Sequence, residues 1–147
     1  LTKEMADRFL TEEQGAAIET DRIRTFFESP LYRRISAARQ VWREYRFLAV
    51  IGEEELAGLA DAGLGENRTA VQGVADCIFE EEDGIIIVDY KTDRIPPDAV
   101  PERTAYYAAQ LRAYAGAMAR ITGRPVCRRT LYFLHCGCSA DVPESDA

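Results

Sequence analysis

Thr69-Ala-Val-Gln-Gly-Val-Ala-Asp-Cys-Ile-Phe-Glu80 and Ile85-Ile-Ile-Val-Asp-Tyr-Lys91, joined through Glu82-Asp83-Gly84, decide the fold. Both runs have the β-branched and aromatic content of strands, and Asp-Gly between them is a hairpin signal. Ile85 to Val88 is aliphatic without a break, which predicts a strand buried on both faces and central to a sheet. The turn falls about midway between Asp76 and Asp89. Antiparallel pairing then brings the two acids near one another across the ladder. Alternation along a strand puts Asp89 and Lys91 on one face and Tyr90 on the other. Two carboxylates and an ammonium are thus predicted at one end of an otherwise apolar hairpin.

Upstream, Val41-Trp-Arg-Glu-Tyr-Arg-Phe-Leu-Ala-Val50 alternates for most of its length and is predicted as a strand. Before it, residues 11–28 read as a helix, with Thr11 and Gln14 as a capping box and Ile18, Ile23, Phe26 and Phe27 as its apolar stripe. Pro30 opens a second short helix through about Ala38. Residues 52–68 lose the strand pattern, contain four glycines and an acidic run, and are predicted to be a flexible connection. Downstream, Pro96, Pro97 and Pro101 predict a loop. Residues 102–122 predict a helix, with Tyr107, Leu111, Tyr114, Ala115, Met118 and Ile121 among its apolar positions and Gly123 as its stop. Val126 to Leu134 is a last strand, and residues 139–147 are predicted to be an acidic tail. This order gives an α/β sandwich: a central mixed sheet, made of the antiparallel hairpin plus a later strand, flanked by helices.

An acidic pair beside a lysine suits a particular chemistry. Nearby carboxylates repel, and a divalent cation relieves the conflict. Mg²⁺ takes oxygen ligands, commonly one or two carboxylates with waters and phosphate oxygens, and Mn²⁺ substitutes at such sites. The cation activates water and offsets charge on a phosphoryl group, while Lys91 can polarise the water or stabilise negative charge. The bland alternative for Asp89 and Lys91 alone is a surface ion pair worth little. Asp76 at hairpin register favours metal-assisted phosphodiester hydrolysis over that alternative.

The 147 residues fit one domain. Eighteen basic and 25 acidic residues give a net charge of −7, which argues against a stand-alone DNA-binding module. The charges are segregated, however. Acids cluster at Glu53–Glu55, Glu80–Asp83 and Asp141–Asp146; arginines gather at 22, 24, 33, 34, 43, 46, 124, 128 and 129. Cys77, Cys127, Cys136 and Cys138 lack zinc or cluster spacing and read as reduced thiols. No apolar run is long enough for a membrane span, and no secretory signal is expected, since Leu1-Thr-Lys-Glu4 opens no apolar stretch. The chain begins at Leu1 and is read as a fragment of a larger protein.

Val71-Gln-Gly-Val-Ala-Asp76, Val88-Asp-Tyr-Lys-Thr-Asp93 and Gln110-Leu-Arg-Ala-Tyr114, preceded by Arg43-Glu44-Tyr-Arg-Phe47, resemble the motif series of RecB-type PD-(D/E)xK nucleases. Within that family the series is most similar to the C-terminal nuclease domain of AddA, the helicase–nuclease component of AddAB complexes. The likeness covers roughly residues 8–135. It implies a restriction-endonuclease-like fold and a Mg²⁺-dependent deoxyribonuclease. It implies that Asp76, Asp89 and the main-chain carbonyl of Tyr90 hold the metal and that Lys91 is the catalytic lysine. Gln110 and Tyr114, one helical turn apart, would line the site. Glu44 would be an accessory acid, or else a strand residue paired with an arginine.

The same resemblance implies partners. They are DNA, as single strands, an ATP-driven helicase region of the same parent chain, and the second subunit of an AddAB-type complex, in the bacterial cytoplasm. No phosphate-binding Gly-x-x-x-x-Gly-Lys-Ser/Thr loop occurs here, so ATP would belong to the motor region alone. Family members usually carry an active-site His on a helix upstream of the Arg-Glu strand. None precedes Glu44, and the only His is His135, which reads as structural. Truncation of the chain would explain that departure. The competing readings are a Cas4-like or phage-type exonuclease, and a non-catalytic interaction domain that keeps the nuclease fold.

Overall fold

The structure is a computed structural model that describes residues 20–50 and 70–145. The capping box at Thr11 and Gln14, Ile18, and the connection predicted at 52–68 lie outside the described residues. Helix α1 (Thr20–Phe27) and helix α2 (Pro30–Ala37) precede strand β1 (Val41–Val50). Strands β2 (Ala70–Glu81) and β3 (Gly84–Lys91) form the hairpin. A 3₁₀ turn at Pro97–Ala99 leads into helix α3 (Val100–Thr122), then strands β4 (Val126–Phe133) and β5 (Cys138–Asp141).

Local chemistry explains the boundaries. Ser29 caps α2, its hydroxyl accepting from the Tyr32 N–H at 3.1 Å, and Pro30 takes the first helical position, where no N–H is needed. Pro101 takes the second position of α3, where the N–H likewise has no partner within the helix, so that helix starts within the segment that the prolines mark as loop. Gly123 ends α3 at φ 67°, the left-handed cap that glycine adopts without penalty.

The sheet runs β1-β2-β3-β4-β5. All neighbours are antiparallel except β3 and β4, which are parallel and joined by α3. This is the mixed sheet expected, with one strand more. The acidic tail expected from residue 139 is displaced by this strand: residues 138–141 pair with β4, and Val142 behind them is buried. Cys138, Ala140 and Val142 alternate inward while Ser139 and Asp141 face out. Four residues with one acid are too few for that alternation to stand out in sequence.

Two apolar layers sandwich the sheet. On one side α3 packs Leu111, Ala115 and Met118 over Ile78, Ile85, Ile87, Leu131 and Phe133. On the other, Phe26, Leu31 and Ile35 of α1 and α2 cover Cys77, Phe79, Ile86, Val88 and Tyr132. Ile85 to Val88 are buried on both faces, as the unbroken aliphatic run predicts. Each such side chain contributes about 1.5–3 kcal/mol of burial free energy.

The hairpin turn differs from the simplest Asp-Gly expectation. Its central residues are Glu82 and Asp83, and Gly84 already pairs with Glu81. Gly84 is needed for another reason: at φ 145° a Cβ there would lie 2.4 Å from the Pro125 carbonyl oxygen. That carbonyl accepts the Ile85 N–H at 2.9 Å, so the backbone entering β4 passes directly against β3.

Candidate active site

The hairpin opens at its acidic end. Pairing between β2 and β3 runs from Glu81↔Gly84 to Cys77↔Val88 and stops there. Beyond it β2 stays with β1, and β3 stays with β4. The next residue on each side of this fork is an acid, Asp76 and Asp89.

A second irregularity coincides with the fork. The β1–β2 register passes from Arg43↔Cys77 to Tyr45↔Ala75 and skips Glu44 and Asp76. Glu44 has φ 53°, the left-handed region that costs a non-glycine residue free energy. The sheet faces exchange here. Trp42 and Ile78 lie on the α3 side, but so do Tyr45, Phe47 and Ala75, which simple alternation would send to the other side. Both strands therefore turn over together at Glu44 and Asp76. Past that point a Cβ on Gly73 would sit 2.6 Å from Phe47 Cζ and 3.0 Å from Tyr114 Cζ. The glycine lets the Phe47–Tyr114 edge-to-face pair, 5.0 Å between centroids, close down on β2.

Asp76 sits at the branch of the fork. Its Oδ2 accepts the Tyr90 N–H at 2.9 Å, so a side chain replaces the missing ladder bond. Its carboxyl also hydrogen-bonds the side chain of Asp89. Burial pushes the Asp76 carboxyl up to about 7, helped by the bond to Asp89 and by the charge of Asp89. The Tyr90 N–H and the Lys91 ammonium oppose that rise.

Asp89 and Lys91 share the α3 face, as period two predicts, with Lys91 Nζ 2.6 Å from Asp89 Oδ2. Their side chains are only 15% and 16% exposed, so they are not the loose surface pair of the bland alternative. Tyr90 points the other way. Its ring meets Phe26 edge-on at 5.2 Å, its hydroxyl bonds Cys77, and burial raises its pKa; only its main chain belongs to the fork.

Helix α3 roofs the opening. Tyr107, Gln110 and Tyr114 follow one another at spacings of three and four, which places them on one stripe. Tyr107 covers Lys91, its ring centroid 3.9 Å from Nζ. Tyr114 meets Phe47 of β1 and lies above Gly73 of β2. Gln110 stands between them, exposed. The Tyr107 hydroxyl donates to Asp93, with the carboxylate oxygens at 2.9 and 3.0 Å. Burial and this bond push the phenol up to about 12, so it remains a donor at neutral pH. Sequence periodicity places Tyr107 among core positions only; its spacing from Gln110 and Tyr114 is the signal that could have found it.

Glu44 is half-buried and stands one strand over from Asp76, at its level in the register. Among the described residues, no three His, Cys, Asp or Glu side chains are grouped to hold a cation, so Glu44 does not complete a three-acid cluster. His135 follows β4 and contacts the Arg22 side chain of α1. All four cysteines are free, and Cys77 is buried.

The donor set suits a divalent cation. A buried Asp76 carboxyl that keeps its proton beside a second acid would release it to a cation bound by their oxygens. The neighbouring Lys91 limits the excess negative charge, which fits a site that also receives phosphate.

A five-stranded mixed sheet between helices, with paired acids and a lysine at a strand end, defines a restriction-endonuclease-like nuclease fold. The chain belongs to the PD-(D/E)XK nuclease superfamily, whose profile matches residues 1–144. It is similar to the AddA-type ATP-dependent helicase/nuclease of Moorella thermoacetica, 46% identical over 141 residues, which are 93% of this chain and 10% of that protein. The corresponding helicase/nucleases of Alkaliphilus oremlandii and of Thermoanaerobacter sp. are 38% and 35% identical over 87% and 92% of this chain. This chain spans about a tenth of the length of these relatives. No helix among the described residues is long and apolar enough to cross a membrane.

Proposed function

We propose that this chain is the nuclease domain of an ATP-dependent helicase–nuclease and hydrolyses DNA phosphodiester bonds with Mg²⁺, or Mn²⁺ in its place. The observation that carries this reading is the fork, where Asp76, Asp89 and Lys91 converge under α3. Asp76, Asp89 and the main-chain carbonyl of Tyr90 would hold the cation. When bound, the cation supplies positive charge to the phosphoryl oxygens and activates water for in-line attack.

The other roles belong to the chain's own groups. Asp89 orients Lys91 by their 2.6 Å contact. Lys91 donates to the attacking water or to the phosphate oxygen that gains charge, which matters more in this shielded position than in open solvent. The exposed Gln110 amide offers a donor and an acceptor to the substrate strand, and the Tyr114 ring offers a stacking edge beside it. Glu44, one strand over from Asp76, would serve as an accessory acid, or else as a strand residue paired with an arginine.

As one domain over residues 1–147, the chain would work on single strands delivered by a helicase region of the same parent protein and by a second subunit. That assembly would process double-strand ends for recombinational repair in the bacterial cytoplasm. Delegated DNA capture accounts for a net charge of −7 in a nuclease.

The test is cleavage of labelled single-stranded DNA by the full-length natural chain carrying these residues, with and without Mg²⁺. Cleavage that needs the metal and is abolished by Asp89→Ala and by Lys91→Ala is expected. Undiminished cleavage by either variant would remove the fork from the chemistry.

A further inference from the structure

We propose that Tyr107 is a positioning residue for Lys91: its ring, clamped by Asp93, holds the lysine ammonium against Asp89 on the α3 side of the fork. This rests on the reading of Lys91 as the catalytic lysine.

Lysine is a poor candidate for precise placement by itself. Its ammonium is a compact charge on a flexible four-carbon stem. Lys91 is also the last residue of β3, where the strand gives way to the loop leading to the 3₁₀ turn. Among the described residues, two contacts define where its ammonium sits. One is Asp89 Oδ2 at 2.6 Å, and the other is the Tyr107 ring with its centroid at 3.9 Å. The second distance is well inside the range over which a ring face attracts a cation.

Tyr107 is itself fixed. Its hydroxyl reaches both oxygens of Asp93, at 3.0 and 2.9 Å. Asp93 lies two residues beyond Lys91 and is also met by Arg103 of α3 at 3.7 Å. The chain therefore closes a short circuit, from Lys91 across space to the Tyr107 ring, through the phenol to Asp93, and back along the backbone. That circuit ties α3 to the end of β3 at the point where the ammonium must be aimed. Asp89 alone would permit the ammonium to swing about its carboxylate; the ring closes off the α3 side.

A group held in reactive alignment is sensitive to small displacements, and about 10- to 100-fold in rate is at stake for misplacement on the scale of an ångström. The experiment compares Tyr107→Leu, Tyr107→Phe and Lys91→Ala in the full-length natural chain, by steady-state cleavage of labelled single-stranded DNA with Mg²⁺ and by thermal unfolding. Tyr107→Leu is expected to lower kcat by about 10- to 100-fold while KM stays within about twofold. Tyr107→Phe keeps the ring over Nζ but loses the bond to Asp93, and is expected to recover only part of that loss. If Tyr107→Leu keeps the wild-type kcat while Lys91→Ala is inactive, the positioning role is overturned and the reading of Lys91 survives. If Lys91→Ala is fully active, the reading of Lys91 fails first. Equal losses in Tyr107→Leu and Tyr107→Phe, matched by equal losses in melting temperature, would make Tyr107 a packing residue and overturn the proposal. Should Tyr107→Leu not fold, Asp93→Ala frees the ring from outside the core. A lowered kcat at unchanged KM would then support the clamp, and an unchanged kcat would overturn it.

Discussion

The two ends of one hairpin behave as opposites. Near the turn, β2 and β3 are paired, and Ile78, Phe79 and Ile85 to Val88 are between 0% and 1% exposed. At the other end the same strands separate, a left-handed Glu44 interrupts the neighbouring strand, and charged groups occupy the gap. The comparison shows where the stability resides and where it is spent. Apolar burial beneath helices on both faces holds the closed end, and that end fixes how far the open end can spread. The open end carries costs that isolated strands would not bear: two acids in contact, a backbone residue in an unfavourable region, and an ion pair largely withdrawn from water.

Substitutions at the closed end should have the largest effect on stability. Ile87→Ala removes a fully buried side chain between α3 and the sheet and should cost about 2–5 kcal/mol in urea unfolding. Nuclease activity per folded molecule should be retained, since the fork's own groups are untouched. A loss of activity without a loss of stability would contradict the division between the two ends.

Gly73→Ala probes the joint between them. The new methyl would press on Phe47 and Tyr114, and the strain should cost about 1–3 kcal/mol. Because Tyr114 shares the α3 stripe with Tyr107 and Gln110, activity should fall as well. Double substitution with Phe47→Leu should restore part of the stability by making room.

Asp76→Asn sharpens the electrostatic side. In metal-free protein the Asp76 carboxyl keeps its proton up to about 7, whereas in the unfolded chain it gives it up near 4. The folded state therefore binds more protons in that interval, and stability should fall as pH rises from about 4 to about 7. Asn cannot ionise, so Asp76→Asn should flatten this fall and leave the metal-free variant the more stable one at neutral pH. Melting temperature followed against pH in the presence of a chelator reads this directly; parallel profiles for the two proteins would refute it.

The smallest effect is expected at Arg34. Its guanidinium donates to both carboxylate oxygens of Glu81 at 2.8 and 3.0 Å, beside the hairpin turn, with both side chains about one-third exposed. Arg34→Ala should cost about 1 kcal/mol or less, and raised salt should shrink the difference.

Much of this is legible in the sequence because it follows from short-range periodicity. The unbroken Ile85–Val88 run marks the central strand, and the turn midway between Asp76 and Asp89 places the acids opposite one another. Pro30 and Gly123 fix helix ends through their own backbone chemistry. What stays hidden depends on tertiary context. The exchange of faces at Glu44 and Asp76 breaks the period-two rule on two strands at once, and no local pattern signals it. Gly84 looks like a turn glycine but answers to Pro125, across the sheet at the start of β4. The contact of Tyr107 with Lys91 requires knowing which stripe of α3 faces the fork, and β5 is masked by the acidic residues around it.

Mn²⁺ binding measured by calorimetry at neutral pH tests the fork most directly. The wild-type protein should bind one cation, with release of protons as the proton held on Asp76 is displaced, and an Asp76→Asn/Asp89→Asn variant that melts normally should bind none. Equal binding by that variant, or no binding by the wild type, would contradict the assignment of the fork as the metal site.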